Sequence, residues 1–198
     1  MIIIAATQNK NKLEELRNIF TDSDIEIISI KEAGLDHIDV EEDQDTFEGN
    51  SMKKAEEIMK ISGKPTIADD SGLEVDALGG RPGVYSARYA GEEASDQENN
   101  KKLLEELAHV KNRKAKFVSV ISMALPDGKR LSVRGECSGK IAFEEKGQGG
   151  FGYDPLFIVE GYDQTFSELG NELKNKISHR ARACEKFKEA FIKLIGAE

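Results

Sequence analysis

The feature that most restricts this chain is the order of signals at its start. Ile2-Ile3-Ile4-Ala5-Ala6 is a short run rich in β-branched residues and reads as a strand. Thr7-Gln8-Asn9 can cap a helix, and Leu13, Leu16, Ile19 and Phe20 then recur at helical spacing. A second strand over 25–30 leads to a second helix, opened by Asp45 or Thr46 and ending near Gly63-Lys64-Pro65. Residues 66–70 read as a third strand that stops at Asp69-Asp70-Ser71-Gly72, with a looped region over 72–91. Ser95-Asp96-Gln97-Glu98 is a capping box for a helix to about His109. Residues 117–125 and 131–137 flank Pro126-Asp127-Gly128-Lys129, a hairpin turn. A strand over 156–159 comes after a glycine-rich loop, and Ser178 starts a last helix with Cys184, Phe187, Phe191, Leu194 and Ile195 inward. Helices interleaved with strands at the start and a hairpin in the middle predict an α/β fold with a mixed sheet. No repeat, low-complexity tract or linker divides residues 1–198, so a single domain is expected.

Charge narrows the partners. Lys plus Arg number 28 against 37 Asp plus Glu, a formal net charge of −9. A duplex nucleic-acid binder needs an excess of cations over a wide surface, so no nucleic-acid partner is expected. A small anionic ligand needs only a local basic pocket. No apolar run approaches the ~20 residues that cross a bilayer, so no membrane partner is expected either. Residues 2–6 are too short for a signal sequence, and Cys137 and Cys184 form neither a CxxC pair nor a disulfide framework. A soluble protein of a reducing, cytoplasmic compartment is the expectation.

Five stretches carry chemistry. Thr7-Gln8-Asn9-Lys10-Asn11-Lys12 lies at a strand-to-helix turn, where free N–H groups and the helix dipole attract anions, and two lysines stand where an ordinary helix prefers acids. The plain alternative is a capped helix with solvated lysines. Asp69-Asp70-Ser71-Gly72 offers adjacent carboxylates suited to a hard cation such as Mg²⁺, or simply an Asx-type turn. Seven carboxylates between 35 and 52 read mostly as a solvated loop (Asp36, Asp39, Glu41, Glu42, Asp43, Asp45, Glu48), one of which could complete a metal site. Beyond them Asn50 and Lys54, four apart, share a helix face and would reach a phosphate together or lie exposed. Gly149-Gly150-Phe151-Gly152-Tyr153-Asp154-Pro155 can lay a ring over a base, with Asp154 accepting from a ring N–H; alternatively its aromatics plug a core edge. Lys174 with Ser178-His179-Arg180 places cations at a helix start, where they want an anion. One pattern is rejected: Gly147 to Gly152 matches G-x-G-x-x-G, yet a strand comes after it where a dinucleotide fold needs a helix. Walker A and HExxH signals are absent.

Taken in order, Thr7-x-Asn9-x-x-Lys12, Asp69-Asp70-Ser71-Gly72-Leu73, Pro82-Gly83-Val84-Tyr85-Ser86-Ala87-Arg88, Phe151-Gly152-Tyr153-Asp154-Pro155 and Ser178-His179-Arg180 resemble the inosine triphosphate pyrophosphatase family, the Ham1- or RdgB-like proteins. The resemblance implies two lobes around a long mixed sheet, a nucleotide cleft, a homodimer, and hydrolysis of noncanonical purine nucleoside triphosphates (ITP, dITP, XTP) to monophosphate and pyrophosphate. By the same resemblance, Thr7, Gln8, Asn9, Lys10, Asn11 and Lys12 form the triphosphate loop. Asp70 is catalytic base and Mg²⁺ ligand, Glu41 the second metal carboxylate with Glu42 beside it as the alternative, and Ser71 a substrate contact. Lys54 and Lys174 contact the nucleotide, and Phe151, Gly152, Tyr153 and Asp154 with His179 and Arg180 recognise the base. Gln8 departs from the glycine of many members, and a positive φ there would strain it. Other readings are a non-catalytic nucleotide sensor, which has no need of Asp69-Asp70, and a Maf-type pyrophosphatase for modified nucleotides, whose motifs should differ from the last two quoted.

Overall fold

The computed structural model describes residues 1–21 and 23–196. Strand β1 (Ile2–Ala5) pairs in parallel with β2 (Glu26–Ser29), Ile3 opposite Ile27, and with β3 (Thr66–Val75), Ala5 opposite Ile67. Helices α1 (Lys10–Ile19) and α2 (Phe47–Ser62) connect these three strands in turn. The six-stranded sheet runs β2-β1-β3-β4-β5-β6, with β4 (Lys114–Ala124), β5 (Arg130–Ile141) and β6 (Phe157–Val159). β5 and β6 are antiparallel, Gly139 opposite Val159. The sheet is therefore mixed, as predicted.

Two compact units emerge. The first comprises Met1–Asp70, Ser119–Gly135 and the chain from Ala181 onward; the second comprises Ser71–Val118 and Glu136–Arg180. In the first, alternate side chains of β1 point to opposite faces. Ile3 and Ala5 join Leu16 and Ile19 of α1, Ile67 of β3, and Phe187 and Phe191 of α5 (His179–Ile195). Ile4 and Ala6 join Ala55 and Ile58 of α2 and Ala68 of β3. Burial on both faces explains why β1 is apolar throughout instead of alternating. In the second unit, Leu103 and Leu107 of the α3 region (α3, Asp96–Glu106) pack with Phe117, Phe157, Tyr153 and Phe166.

Several boundaries differ from expectation. β3 does not stop at Asp69-Asp70 but runs to Val75, because Leu73 and Val75 continue its buried side. The expected loop over 72–91 begins inside β3 and includes two 3₁₀ turns, Asp76–Leu78 and Gly83–Arg88. Helix α4 (Phe166–Ile177) has no counterpart among the expected elements, although Thr165 and Glu168 form a complete capping box at its start. Ile195, expected inward, is 45% exposed, since the buried stripe of Ala183, Phe187 and Phe191 ends before it. Thr46, capping the Gly49 N–H, opens α2 and left-handed Gly63 closes it, as expected. A strand, not a helix, comes after the Gly147 to Gly152 loop, in keeping with rejection of the dinucleotide reading.

Candidate active site

The first unit concentrates charge on the buried middle of β3. Consecutive strand residues face opposite ways, so Asp69 shares the side of Ile67, toward α1, and Asp70 the side of Ala68, toward α2. Lys12, in the first turn of α1, lies 3.1 Å from Asp69 Oδ2. On α2, Asn50 Nδ2 donates to Asp70 Oδ2 at 3.1 Å, and its Oδ1 accepts from the Gln44 N–H at 2.9 Å. One turn later Lys54 Nζ donates to the Asp69 carbonyl at 2.8 Å and to the Glu42 carboxylate. Asn50 and Lys54 do share a face, but Asn50 is fully buried and spends both polar atoms on the protein. It orients Asp70; neither the phosphate contact nor the exposed alternative describes it.

Burial raises the Asp70 carboxyl above its ordinary value, with Glu42 adding to the effect and Lys54, Lys12 and Asn50 opposing it. Burial works against the Lys54 charge, yet Asp70, Glu42 and Asp69 together hold its pKa above the ordinary one. Glu41 is exposed and acts on Lys53, whereas Glu42 is the acidic-loop residue brought to Lys54 and Asp70.

At the start of α1, Asn9 Oδ1 accepts from the N–H groups of Asn11 and Lys12, and Thr7 Oγ1 accepts from the Asn9 N–H. Gln8, Lys10 and Asn11 are exposed. The first turn carries no acid, which leaves the dipole's positive end uncompensated by its own helix. Gln8 is unstrained: among the described residues only glycines have positive φ.

The second unit builds an aromatic site with one buried ion pair. Asp154 Oδ2 accepts from the Phe151 N–H at 3.0 Å and from Lys174 Nζ, both charges being almost fully buried. The Lys174 ammonium also lies 4.1 Å from the centroid of the Phe151 ring, a cation–π contact. Gly150, at φ +86°, is required, because a Cβ there would strike the Asp154 carboxylate. The Tyr153 hydroxyl donates to the Ser86 carbonyl at 2.8 Å, and burial pushes its pKa up. His179 stacks on Phe117 with centroids 4.9 Å apart, and Arg180 Nη2 donates to Ser71 Oγ at 3.1 Å. So Ser71 is tied to the His179-Arg180 segment, and Phe151 and Asp154 to Lys174. The sequence offers Asp69 only as one of two adjacent carboxylates and Asn50 only as a phosphate contact or an exposed residue; the partnerships of Asp69 with Lys12 and of Asn50 with Asp70 have no signal in it.

Among the described residues, no group of three or more His, Cys, Asp and Glu side chains stands ready to hold a metal, and no helix is long and apolar enough to cross a membrane. Mg²⁺ needs fewer protein donors, one or two carboxylates completed by waters and phosphate oxygens. Asp70 and Glu42 are hard oxygen donors of that kind, and their field already draws in the Lys54 cation.

Comparison with known proteins gives a consistent result. Residues 3–190 match the model of the Ham1 family. A "dITP/XTP pyrophosphatase" of Clostridium tetani is 47% identical over 190 residues, covering 94% of each chain. One of Desulfotalea psychrophila is 52% identical over 187 residues, covering 94% of this chain and 83% of that protein. The solved structure of the Staphylococcus aureus Ham1 protein superposes with a TM-score of 0.91 at 45% identity, covering all of both chains.

Proposed function

The chain belongs to the Ham1 family, and from that premise we propose that it hydrolyses noncanonical purine nucleoside triphosphates (XTP, dITP and ITP) to the monophosphate and pyrophosphate. The observation that carries the reading is the buried Asp70 carboxylate, aimed by Asn50 and neighboured by Lys54, with Lys12 on Asp69. Relatives named dITP/XTP pyrophosphatase supply the substrate class.

Asp70 is the general base: it takes a proton from the water whose oxygen bonds to the α-phosphorus as the bond to the bridging oxygen of pyrophosphate breaks. Lys10, Lys12, Lys54 and the positive end of the α1 dipole hold the leaving pyrophosphate, with Thr7, Gln8, Asn9 and Asn11 completing that loop. Mg²⁺ held by Asp70 and Glu42 would neutralise charge developing on the phosphate oxygens. Glu42 takes the place that the resemblance gives to Glu41, because Glu42 is the one beside Lys54.

The base falls to the second unit's residues. Asp154, whose Oδ2 is taken by Lys174 and Phe151, would accept an oxopurine ring N–H at Oδ1. Adenine carries no hydrogen at that ring nitrogen and presents an amino donor instead of a 6-carbonyl. Donors from Lys174, His179 and Arg180 would be left unmatched against it, and such mismatches discriminate up to about 10⁴-fold. Phe151, Gly152 and Tyr153 shape the base platform, with Ser71 fixed to Arg180. A cytoplasmic homodimer is part of the same reading and rests on the family resemblance, which also offers residues 81–89 as its interface; the exposed Tyr85, under the Arg88 guanidinium, lies in that stretch.

The test is a panel of ITP, XTP, GTP and ATP assayed for pyrophosphate with and without Mg²⁺. Pyrophosphate from ITP and XTP, little from ATP, and dependence on Mg²⁺ are expected. Equal rates on ATP, or orthophosphate as product, would refute the reading.

A further inference from the structure

We propose that Asp96 and Asn100 of α3 are positioning residues for base selection, holding the Phe151–Asp154 segment in register through both polar atoms of one peptide residue, Gly152. The Gly152 N–H donates to Asp96 Oδ2 at 2.6 Å, and the Gly152 carbonyl accepts from Asn100 Nδ2 at 3.1 Å. Asp96 and Asn100 are four apart, so both lie on one face of α3 and reach the loop together. The clamp rests on a fixed base, because the Ser95–Glu98 capping box locks the end of the helix from which Asp96 projects.

Gly152 is where such a clamp has leverage. At φ +60° it sits in the left-handed region between Phe151, whose ring meets Lys174, and Tyr153. It is the one residue separating the stacking ring from Tyr153-Asp154, so rotation of its peptide moves Phe151 relative to the acceptor. Asn100 itself is 3% exposed, and its Oδ1 is buried without a hydrogen-bond partner. A buried amide that makes one hydrogen bond and leaves its acceptor unmatched works against stability. What it supplies is the location of the Gly152 carbonyl. The adjacent Asn99 acts in parallel, its Oδ1 accepting from the Ala90 N–H at 2.7 Å and its Nδ2 donating to the Ala87 carbonyl at 3.0 Å. That holds the Gly83–Arg88 turn, whose Ser86 carbonyl receives the Tyr153 hydroxyl. Successive side chains of α3 thereby hold both loops that meet at Tyr153.

The inference rests on the base-recognition reading above, and the experiment separates the two. kcat and KM for XTP and for ATP are measured on the full chain carrying Asn100→Leu and, independently, Asp96→Asn, with Tm recorded for each. Asn100→Leu is expected to keep or raise Tm, to raise KM for XTP about ten- to a hundred-fold with a smaller change in kcat, and to leave ATP turnover as it was, since misplacement of a binding group costs up to about that much. Asp96→Asn, at an exposed residue in the first turn of that face, keeps a weaker acceptor and is expected to give the same split at smaller size. If Asn100→Leu does not fold, the exposed Asp96 site decides. A folded variant with unchanged KM and an unchanged XTP-to-ATP ratio overturns the positioning role. A wild-type protein that does not prefer XTP overturns the base-recognition reading instead.

Discussion

The carboxylate–lysine cluster on β3 and the aromatic loop around Asp154 each contain a buried Asp beside a Lys, yet they treat charge in opposite ways. Asp70 is held by a neutral amide, and burial lifts its pKa despite two lysines nearby. Asp154 is locked to a single buried Lys174. The first arrangement keeps a carboxylate at a cost to the fold, as a reactive group requires. The second neutralises its charges internally and presents shape, one ring and directed hydrogen bonds, as recognition requires. On the proposed function, chemistry and selection fall to different residues, and variants in the two regions should fail differently.

The largest expected effect is on turnover. Asp70→Asn should lower kcat by about 10²–10⁴-fold, with nucleotide binding, measured by calorimetry, largely retained. Retained turnover would remove Asp70 from the reaction. Next comes stability in the other region: Lys174→Met leaves the Asp154 carboxylate buried and unpaired, which should lower unfolding free energy by about 3–5 kcal/mol in urea denaturation. A third comparison sharpens the metal assignment. Glu42→Gln should raise the Mg²⁺ concentration for half-maximal activity by roughly ten-fold or more, in line with losses at metal-supporting positions, while Glu41→Gln leaves it nearly unchanged; the reverse would restore Glu41 as the ligand.

The smallest effect carries an opposite sign. A carboxyl whose pKa is raised by folding is stabilised in its protonated form, so its ionisation opposes the fold above that raised value. Asp70→Asn should therefore raise the Tm of the metal-free protein at neutral pH, and the gain should shrink as pH falls toward the ordinary 3.8. A Tm that falls at neutral pH would mean the Asp70 charge is compensated in the folded state.

Much of this division was legible in the order of residues. The β-branched start, the Thr46 and Ser95 caps and the Asp127-Gly128 turn act locally, so they give the α/β mixed sheet its outline. Asp70, Lys12, Lys54, Asp154 and Lys174 were visible as residue types in suggestive places. Their partners were not, because pairing across the chain is a matter of packing: nothing in spacing says that Asn50 turns to Asp70, or that Glu42 rather than Glu41 faces Lys54. The end of β3 is hidden from the sequence for a similar reason. Asp69-Asp70-Ser71-Gly72 has turn composition, and burial of Leu73 and Val75 overrides it.

One measurement bears most directly on the separation of chemistry from selection: kcat/KM for XTP and for ATP in Asp70→Asn and in Asp154→Asn. Asp70→Asn should depress both substrates alike and preserve their ratio. Asp154→Asn, which exchanges an acceptor for an amide able to meet the bare ring nitrogen of adenine, should lower XTP and spare ATP. Collapse of the ratio in Asp70→Asn, or an equal loss on both substrates in Asp154→Asn, would contradict that separation.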